Sequence, residues 1–285
     1  MTRASPWRRL ALLFGSVLTG LTGVLAFAGY RWRARSRSLI ESLRRGGDGG
    51  PAVFSETGLE GLPDAVARYF RAVMQDGQPL VRRAVFSQRG EFLVKPEKDI
   101  WGPFRAVQHV ATRPAGFVWD ARIRIAPGIS VSVRDSFVEG TGSMFGSVLG
   151  LIPIMAVEGT PEIAEGALHR YLAESVWFPT ALLPACGAVW TPLDGSSARA
   201  TLGVAGTTVS VDFRFSEDGL VKEVFTAARA RLVDGQALPT PWRGRFFDYA
   251  ERGGIRIPLG GEVEWLLPGG PQPYWRGWIT DIAYE

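Results

Sequence analysis

The chain is poor in cysteine, histidine and lysine. One cysteine, Cys186, excludes an intrachain disulfide framework and a cysteine-based zinc cluster. Two histidines, His109 and His169, leave little for metal ligation or proton shuttling, and nothing else in the sequence calls for a metal or a cofactor. The lysines are Lys95, Lys98 and Lys222 alone, so positive charge is almost all arginine. No G-x-S-x-G, P-loop, H-E-x-x-H or dinucleotide fingerprint occurs in a usable context. No repeat of fixed period is present. What is there is ordinary for a folded protein: 46% of the 285 residues are apolar, too many for a disordered chain.

The net charge of +4 conceals an asymmetry. Residues 1–45 carry nine of the 32 basic residues and one of the 28 acidic ones, which leaves 23 basic against 27 acidic groups in the rest. The basic character therefore belongs to the N-terminal segment. A nucleic-acid-binding body would carry a basic footprint of its own, and no nucleic-acid partner is expected.

Leu10 to Tyr30 is 21 residues without a charge. As a helix rising about 1.5 Å per residue it covers roughly 30 Å, the thickness of a bilayer core. Trp7, Tyr30 and Trp32 stand at its ends, where amphipathic rings favour the headgroup zone. The segment reads as a single-pass transmembrane helix with the lipid bilayer as partner and the cell membrane as location. A cleaved signal peptide is the alternative, with Ala26-Phe27-Ala28 as its cleavage site. The arginines on the two flanks nearly balance, so the side of the membrane that holds the body stays open. Arg31 to Arg45 has the composition of a short basic amphipathic helix for anionic lipid, and Gly46 to Gly50 reads as a hinge. The expected division is a basic tail (1–9), the transmembrane helix (10–30), a juxtamembrane segment and linker (31–60) and a β-rich soluble domain (61–285).

Within that domain a first helix is expected from Pro63 to Met74. Leu62, Ala65, Val66, Tyr69, Phe70 and Val73 recur there at three- and four-residue spacing. From Leu80 the period becomes two. Phe104, Ala106, Gln108 and Val110 alternate with Arg105, Val107, His109 and Ala111. Phe117, Trp119, Ala121 and Ile123 alternate with Val118, Asp120, Arg122 and Arg124. This is antiparallel sheet with one covered and one polar face. Gly142 to Pro153, apolar and glycine-rich, breaks the alternation. Thr160-Pro161-Glu162 starts a second helix that runs to about Val176. Strands resume at Ala188, punctuated by Asp194-Gly195, Asp218-Gly219, Asp234-Gly235, Gly253-Gly254 and Gly269-Gly270. The fold class is mainly β (α+β): about eleven antiparallel strands with one helical insert, in a sheet that must curl into a half-barrel. A curled sheet with a helix across its mouth encloses an interior, and an apolar cavity is expected there.

Several segments carry a resemblance. They are Leu62-Pro63 with Arg68 to Arg71 (RYFR), Gly116 to Ile123 (GFVWDARI), Tyr171 to Pro184 (YLAESVWFPTALLP), Glu262 to Pro268 (EVEWLLP) and Pro273 to Gly277 (PYWRG). Through them the chain, over most of Leu62–Tyr284, resembles a bacterial family of membrane-anchored proteins of unknown function, which implies no activity. In outline it is also similar to periplasmic lipoprotein carriers, a likeness of architecture only.

Candidate chemistry is sparse. His109 reads as a surface or satisfied histidine, His169 as a helical ion-pair partner of Glu165, and Cys186 as a small packed thiol. No catalytic residue is assigned. The more informative pattern is charge embedded among large rings. Trp119, Trp177, Phe178 and Trp265 are expected to wall an apolar or lipid-like ligand. Asp120, Arg122, Glu174 and Arg276 would bring charge beside those rings, with Arg122 and Arg276 meeting a polar head. The same charges equally suit cross-strand ion pairs on a sheet exterior. Two further readings stand beside the ligand-binding one. A hydrolase-type enzyme would use Asp120, Glu174 or Glu262 as paired carboxylates, and a scaffold would hold a membrane partner at an exposed sheet edge.

Overall fold

The structure is a computed structural model that describes residues 6–46, 53–233 and 235–285, with side chains described at residue 16, at 19 and 20, and from 22 onward. The first five residues of the expected tail and residues 47–50 of the expected hinge lie outside the described residues. Pro6–Arg44 forms one helix, α1, of 39 residues, which contains the whole of Leu10–Tyr30. Among the described residues no helix is long and apolar enough to cross a membrane. The stretch Arg31 to Arg45 is not a separate amphipathic helix. It continues α1, and its apolar side packs on the sheet, where Leu39, Ile40 and Leu43 meet Ala111, Val118 and Val138.

The sheet has thirteen strands among the described residues, not about eleven. They are β1 (Arg83–Lys95), β2 (Ile100–Thr112), β3 (Ala115–Ala126), β4 (Ile129–Val138), β5 (Thr141–Val148), β6 (Ile152–Glu158), β7 (Val189–Asp194), β8 (Ser197–Val204), β9 (Thr207–Phe215), β10 (Val221–Val233), β11 (Gln236–Arg252), β12 (Ile255–Leu267) and β13 (Gly270–Tyr284). All pairings are antiparallel. The order is β6-β5-β4-β3-β2-β1-β13-β12-β11-β10-β9-β8-β7, so two meanders join where the first strand pairs with the last.

The two additional strands, β5 and β6, are built around the apolar, glycine-rich stretch Gly142 to Pro153. Its glycines are there for close approach: a Cβ on Gly142 would stand 2.6 Å from the backbone of Ala164. Its hairpin also lacks the usual polar turn pair, since Leu149 and Gly150 take φ of 54° and 73°.

β6 and β7 are the open edges of the sheet, and the chain between them must cross from one to the other. It does so as α3 (Pro161–Glu174), capped by the Thr160 hydroxyl accepting from Ile163 N–H. α3 ends at Glu174 rather than Val176 and passes into three short 3₁₀ turns. It packs against β3, β4, β5, β9 and β10 from the concave side, while α1 packs on β2, β3 and β4 from the convex side. The helix expected near Pro63 is α2 (Asp64–Val73), and its Tyr69, Phe70 and Val66 are fully buried. The interior between the concave face, α2 and α3 is therefore the main core, with Phe86, Phe117, Tyr171, Phe178 and Phe213 at its centre.

Candidate functional site

The rings of the concave face do not fill it. Alternation puts Trp119 and Ile123 of β3, Val133 and Asp135 of β4, and Met144 of β5 on the inner side. Trp242, Phe246 and Trp275 face them from β11 and β13, with Trp177 below α3. They leave a cavity of about 200 Å³. Phe92, Asp135, Met144, Met155, Arg229 and Tyr274 also line a second lobe of about 380 Å³, which reaches Leu93, Pro96, Leu232 and Trp265. The larger lobe alone falls within the range of small-molecule sites, ~300–1,000 Å³.

Two arginines enter this space in opposite electrostatic conditions. Arg170 of α3 is neutralised. It donates to Asp135 at 2.7 Å, to Glu174 at 2.8 Å and to Gln108 at 3.2 Å, and its guanidinium stands 4.7 Å from the Trp119 ring centre. Burial opposes its charge, but Glu174 and Asp135 outweigh burial and hold its pKa above the ordinary arginine value. Glu174 is held in turn by the Gln108 amide at 2.8 Å, and the Trp119 indole donates to Gln88 at 2.8 Å. The charges of this cluster offset one another, although Asp135 Oδ1 and Gln88 Nε2 are buried without a hydrogen-bond partner.

Arg229 of β10 has no carboxylate partner among the described residues. It donates to the Tyr274 hydroxyl at 3.0 Å and the Gly166 carbonyl at 3.1 Å, and lies 4.9 Å and 5.6 Å from the centres of Trp242 and Trp265. Its Nε is buried without an acceptor. The Tyr274 oxygen also accepts from the Trp242 indole at 2.9 Å, so the hydroxyl proton of Tyr274 is left over. Arg229 Nε–H and the Tyr274 O–H thus lack acceptors among the described residues, and the residues that carry them border an aromatic-walled space.

The structure brings three of the sequence-derived residues together: Trp119, Glu174 and Trp177 line the smaller lobe. Trp265 lines the larger one and stacks on Tyr274 at 5.6 Å. The other four lie elsewhere. Phe178 is fully buried between Phe86 and Tyr171 and reaches no lobe. Asp120 and Arg122 point the opposite way from Trp119, as even and odd positions of one strand must. They line an open convex cleft of about 890 Å³ beside α1. There Asp120 accepts from the Trp32 indole at 3.0 Å and the Ser36 hydroxyl at 2.5 Å, so it is an attachment point for α1. Arg276 pairs with Glu91 at 3.2 Å and covers the Trp101 ring at 4.1 Å, away from the cavity.

The carboxylates considered for acid–base work are each engaged by a donor: Asp120 by α1, Glu174 by Arg170, and Glu262 by Arg245 at 2.6 Å. His169 is buried, and burial pushes its pKa down to about 4, so it is neutral at pH 7; its Nδ1 lies 3.8 Å from Glu165. Among the described residues no group of three or more metal-ligating side chains converges. Sequence reading missed Arg170, Asp135, Arg229, Trp242 and Tyr274. Of these only the Arg170–Glu174 spacing on α3 left a local signal.

A family model described as a family of unknown function, DUF6920, matches residues 60–284. No curated protein matches the chain. Among solved structures, a domain provisionally named an outer membrane lipoprotein-sorting protein, from Vibrio parahaemolyticus, is similar at 7% identity and a TM-score of 0.40, over 71% of this chain and 85% of that one. A LolA superfamily protein from Nitrosomonas europaea is similar at 8% identity and a TM-score of 0.39, over 78% and 92%. A β-barrel-like protein from Brucella abortus, of domain of unknown function DUF1849, gives 11% identity and a TM-score of 0.24, over 72% and 98%.

Proposed function

The chain belongs to the DUF6920 family of unknown function, and from that premise we propose that it is a single-pass membrane-anchored protein whose curled sheet binds a lipid-like molecule with an oxygen-bearing, acidic head. Leu10–Tyr30 supplies the anchor, and the body 61–285 supplies the site. The carrying observation is the pairing of an aromatic-walled space with the Arg229 guanidinium, which no carboxylate neutralises among the described residues, and with the Tyr274 hydroxyl beside it. An apolar chain lies among Trp119, Phe92, Met144 and Met155, and the acid meets Arg229. Arg170 takes no part in the head contact, because Asp135 and Glu174 already neutralise it.

The test uses the full chain in a mild detergent with two photoreactive probes, hexadecanoic acid and hexadecanol, each carrying a diazirine in the tail. Cross-links are mapped by mass spectrometry. The acid labels lining residues such as Met144 and Met155 more than the alcohol does. Arg229→Met removes the preference and leaves alcohol labelling in place. The expected drop for the acid is about 10- to 100-fold, the worth of a hydrogen bond to a charged group. Labelling that never reaches the lining residues sinks the binding reading. Equal labelling by acid and alcohol removes the acidic head alone.

A further inference from the structure

We propose that the β3–β4 and β5–β6 turns form an aliphatic tip that sits in the surface of the lipid bilayer beside the anchor helix. The inference rests on the anchor reading of Leu10–Tyr30 and adds to it a second point of membrane contact, made by the body itself.

The two ends of these strands differ in composition. At one end the turns between β2 and β3 and between β4 and β5 read Thr112-Arg113-Pro114 and Glu139-Gly140, as exposed turns usually do. At the other end the β3–β4 and β5–β6 turns read Pro127-Gly128-Ile129 and Leu149-Gly150-Leu151-Ile152; the β1–β2 turn there, Pro96-Glu97-Lys98-Asp99, is polar and is followed by Ile100 at the start of β2. These aliphatic side chains are not buried. Ile129 is 40% exposed, Leu149 44%, Leu151 39% and Ile152 63%. Ile100 and Ile125 on the neighbouring turns are about as open, at 42% and 39%. The three turns adjoin, since β6 to β1 are consecutive in the sheet and the Leu149 N–H bonds to the Ser130 carbonyl.

Leu149 adds a second, independent observation. It holds φ of 54°, a left-handed conformation that Asn, Asp or Gly adopts far more readily. Leucine thus stands in an exposed turn position where a polar residue or glycine would meet less backbone strain. Both the exposure and the residue type make sense where the turn meets hydrocarbon.

The occupant is identified by what lies next to the tip. A Cβ on Gly150 would stand 3.6 Å from the Ala28 side chain of α1. Two residues further on, Tyr30 is 61% exposed, at the boundary between the apolar run and the arginines. The tip thus lies level with the end of the anchor, where the headgroup zone begins. Apolar side chains at that depth leave water in proportion to their area. This orientation puts Leu93 and Pro96, which flank the β1–β2 turn and line the larger lobe, on the bilayer side of the sheet. A guest then passes between membrane and cavity without crossing water.

The test places single cysteines in a Cys186→Ala background of the full chain: Leu151→Cys and Ile129→Cys on the tip, Glu139→Cys at the opposite end and Phe27→Cys in the anchor. Each is labelled with an environment-sensitive fluorophore and reconstituted in phosphatidylcholine–phosphatidylglycerol vesicles that contain lipids spin-labelled at defined depths. The Leu151 and Ile129 labels are expected to be quenched several-fold more than the Glu139 label and most by shallow spin labels, while the Phe27 label is quenched deeper. Tip labels quenched no more than the Glu139 label, with the Phe27 label still quenched, overturn the tip and leave the anchor standing. An unquenched Phe27 label overturns both. Tip labels shielded from a water-soluble quencher but untouched by spin-labelled lipid mark a protein contact instead, and that also overturns the proposal.

Discussion

The two faces of the sheet use arginine in different ways. On the concave face Arg170 is enclosed, with its guanidinium against Trp119 and both neighbouring carboxylates buried or nearly so. On the convex face Arg199 pairs with Asp212 and Arg245 with Glu262, across adjacent strands and with both partners partly in water. The chemistry is the same, but the energetic roles are not. In water a charge pair gains little over its solvated parts, whereas inside the cavity the loss of one partner strands the others. Arg170 therefore sets the shape of the cavity floor, and the convex pairs mainly fix strand neighbours. The faces also differ in what they leave unpaired. Arg89, Arg105 and Arg122 lie side by side on the convex face. They are exposed, while Arg229 borders the cavity and meets only the neutral Tyr274 hydroxyl and Gly166 carbonyl among the hydrogen-bond partners described.

The sharpest way to break this contrast is Arg170→Met. It leaves Asp135 and Glu174 facing each other in an aromatic space, and the expected loss is about 3–5 kcal/mol, read as a drop in the denaturant midpoint of the full chain. The triple change Arg170→Met, Asp135→Asn, Glu174→Gln removes the stranded charges and is expected to recover part of that loss. A single-mutant loss no larger than that of a convex pair would mean that the cavity floor does not depend on Arg170.

The next effect is a pH dependence. His169 lies on the inner side of α3, close to Thr226 and Glu165, with Arg229 nearby. Burial, followed by the charge of Arg229, lowers its pKa to about 4 from an ordinary value of about 6.5. The unfolded chain therefore binds a proton first as the pH falls. The stability that the neutral ring provides is complete above about pH 6.5 and is lost as the pH drops through about 4, by up to about 3 kcal/mol. Glu165, raised by burial and then by Glu162, acts in the opposite sense, so the test is a difference. His169→Gln should flatten the stability profile between pH 4 and 6.5 relative to the parent. Parallel profiles would show that the ring is not desolvated.

A smaller effect is expected where α1 meets the convex face. Asp120→Ala removes the acceptor for Trp32 and Ser36 and leaves Arg134, which donates to Ser36 at 3.2 Å and covers the Trp32 ring at 4.5 Å, without its carboxylate neighbour. The cost is about 1–3 kcal/mol of local docking, seen as faster amide exchange over residues 32–44 with little change in the global midpoint. Exchange that stays as slow as in the parent would mean that Leu39, Ile40 and Leu43 hold the helix without the polar contacts.

Where these residues stand also explains how much of the molecule was legible in the sequence. Alternation is local, so the faces of β1 to β3 and the start of α3 could be read directly, down to the Thr160 cap and Pro161. β5 and β6 escaped because glycines serve the approach of α3, and because Leu149-Gly150 is a turn without turn chemistry. For the site, period two put Trp119 inward and, by the same rule, Asp120 and Arg122 outward, so the trio could not share one cavity. Glu174 and Trp177 were legible because they end a helix that has to cross the sheet. The Arg170–Asp135 and Arg229–Tyr274 contacts join residues 35 and 45 positions apart on separate elements, and no local pattern encodes such a meeting.

The smallest effect belongs to the convex pair Arg199–Asp212, and it sharpens the comparison by its size. The two side chains form a close two-point contact at 2.6 Å and 2.9 Å, better geometry than many buried pairs show. Yet Arg199 is about half exposed, with a side-chain exposure of 49%. Solvent screening, and the entropy of holding two mobile side chains, offset most of the attraction. A double-mutant cycle with Arg199→Gln and Asp212→Asn is therefore expected to return a coupling under about 1 kcal/mol, shrinking further as salt rises from 0.05 to about 0.5 M. The Arg170–Glu174 cycle, run the same way, should keep most of its coupling over that range, because its charges are buried and the ions cannot reach between them. Equal salt sensitivity in the two cycles would mean that water penetrates the cavity floor, and Arg170 would then be one more surface charge.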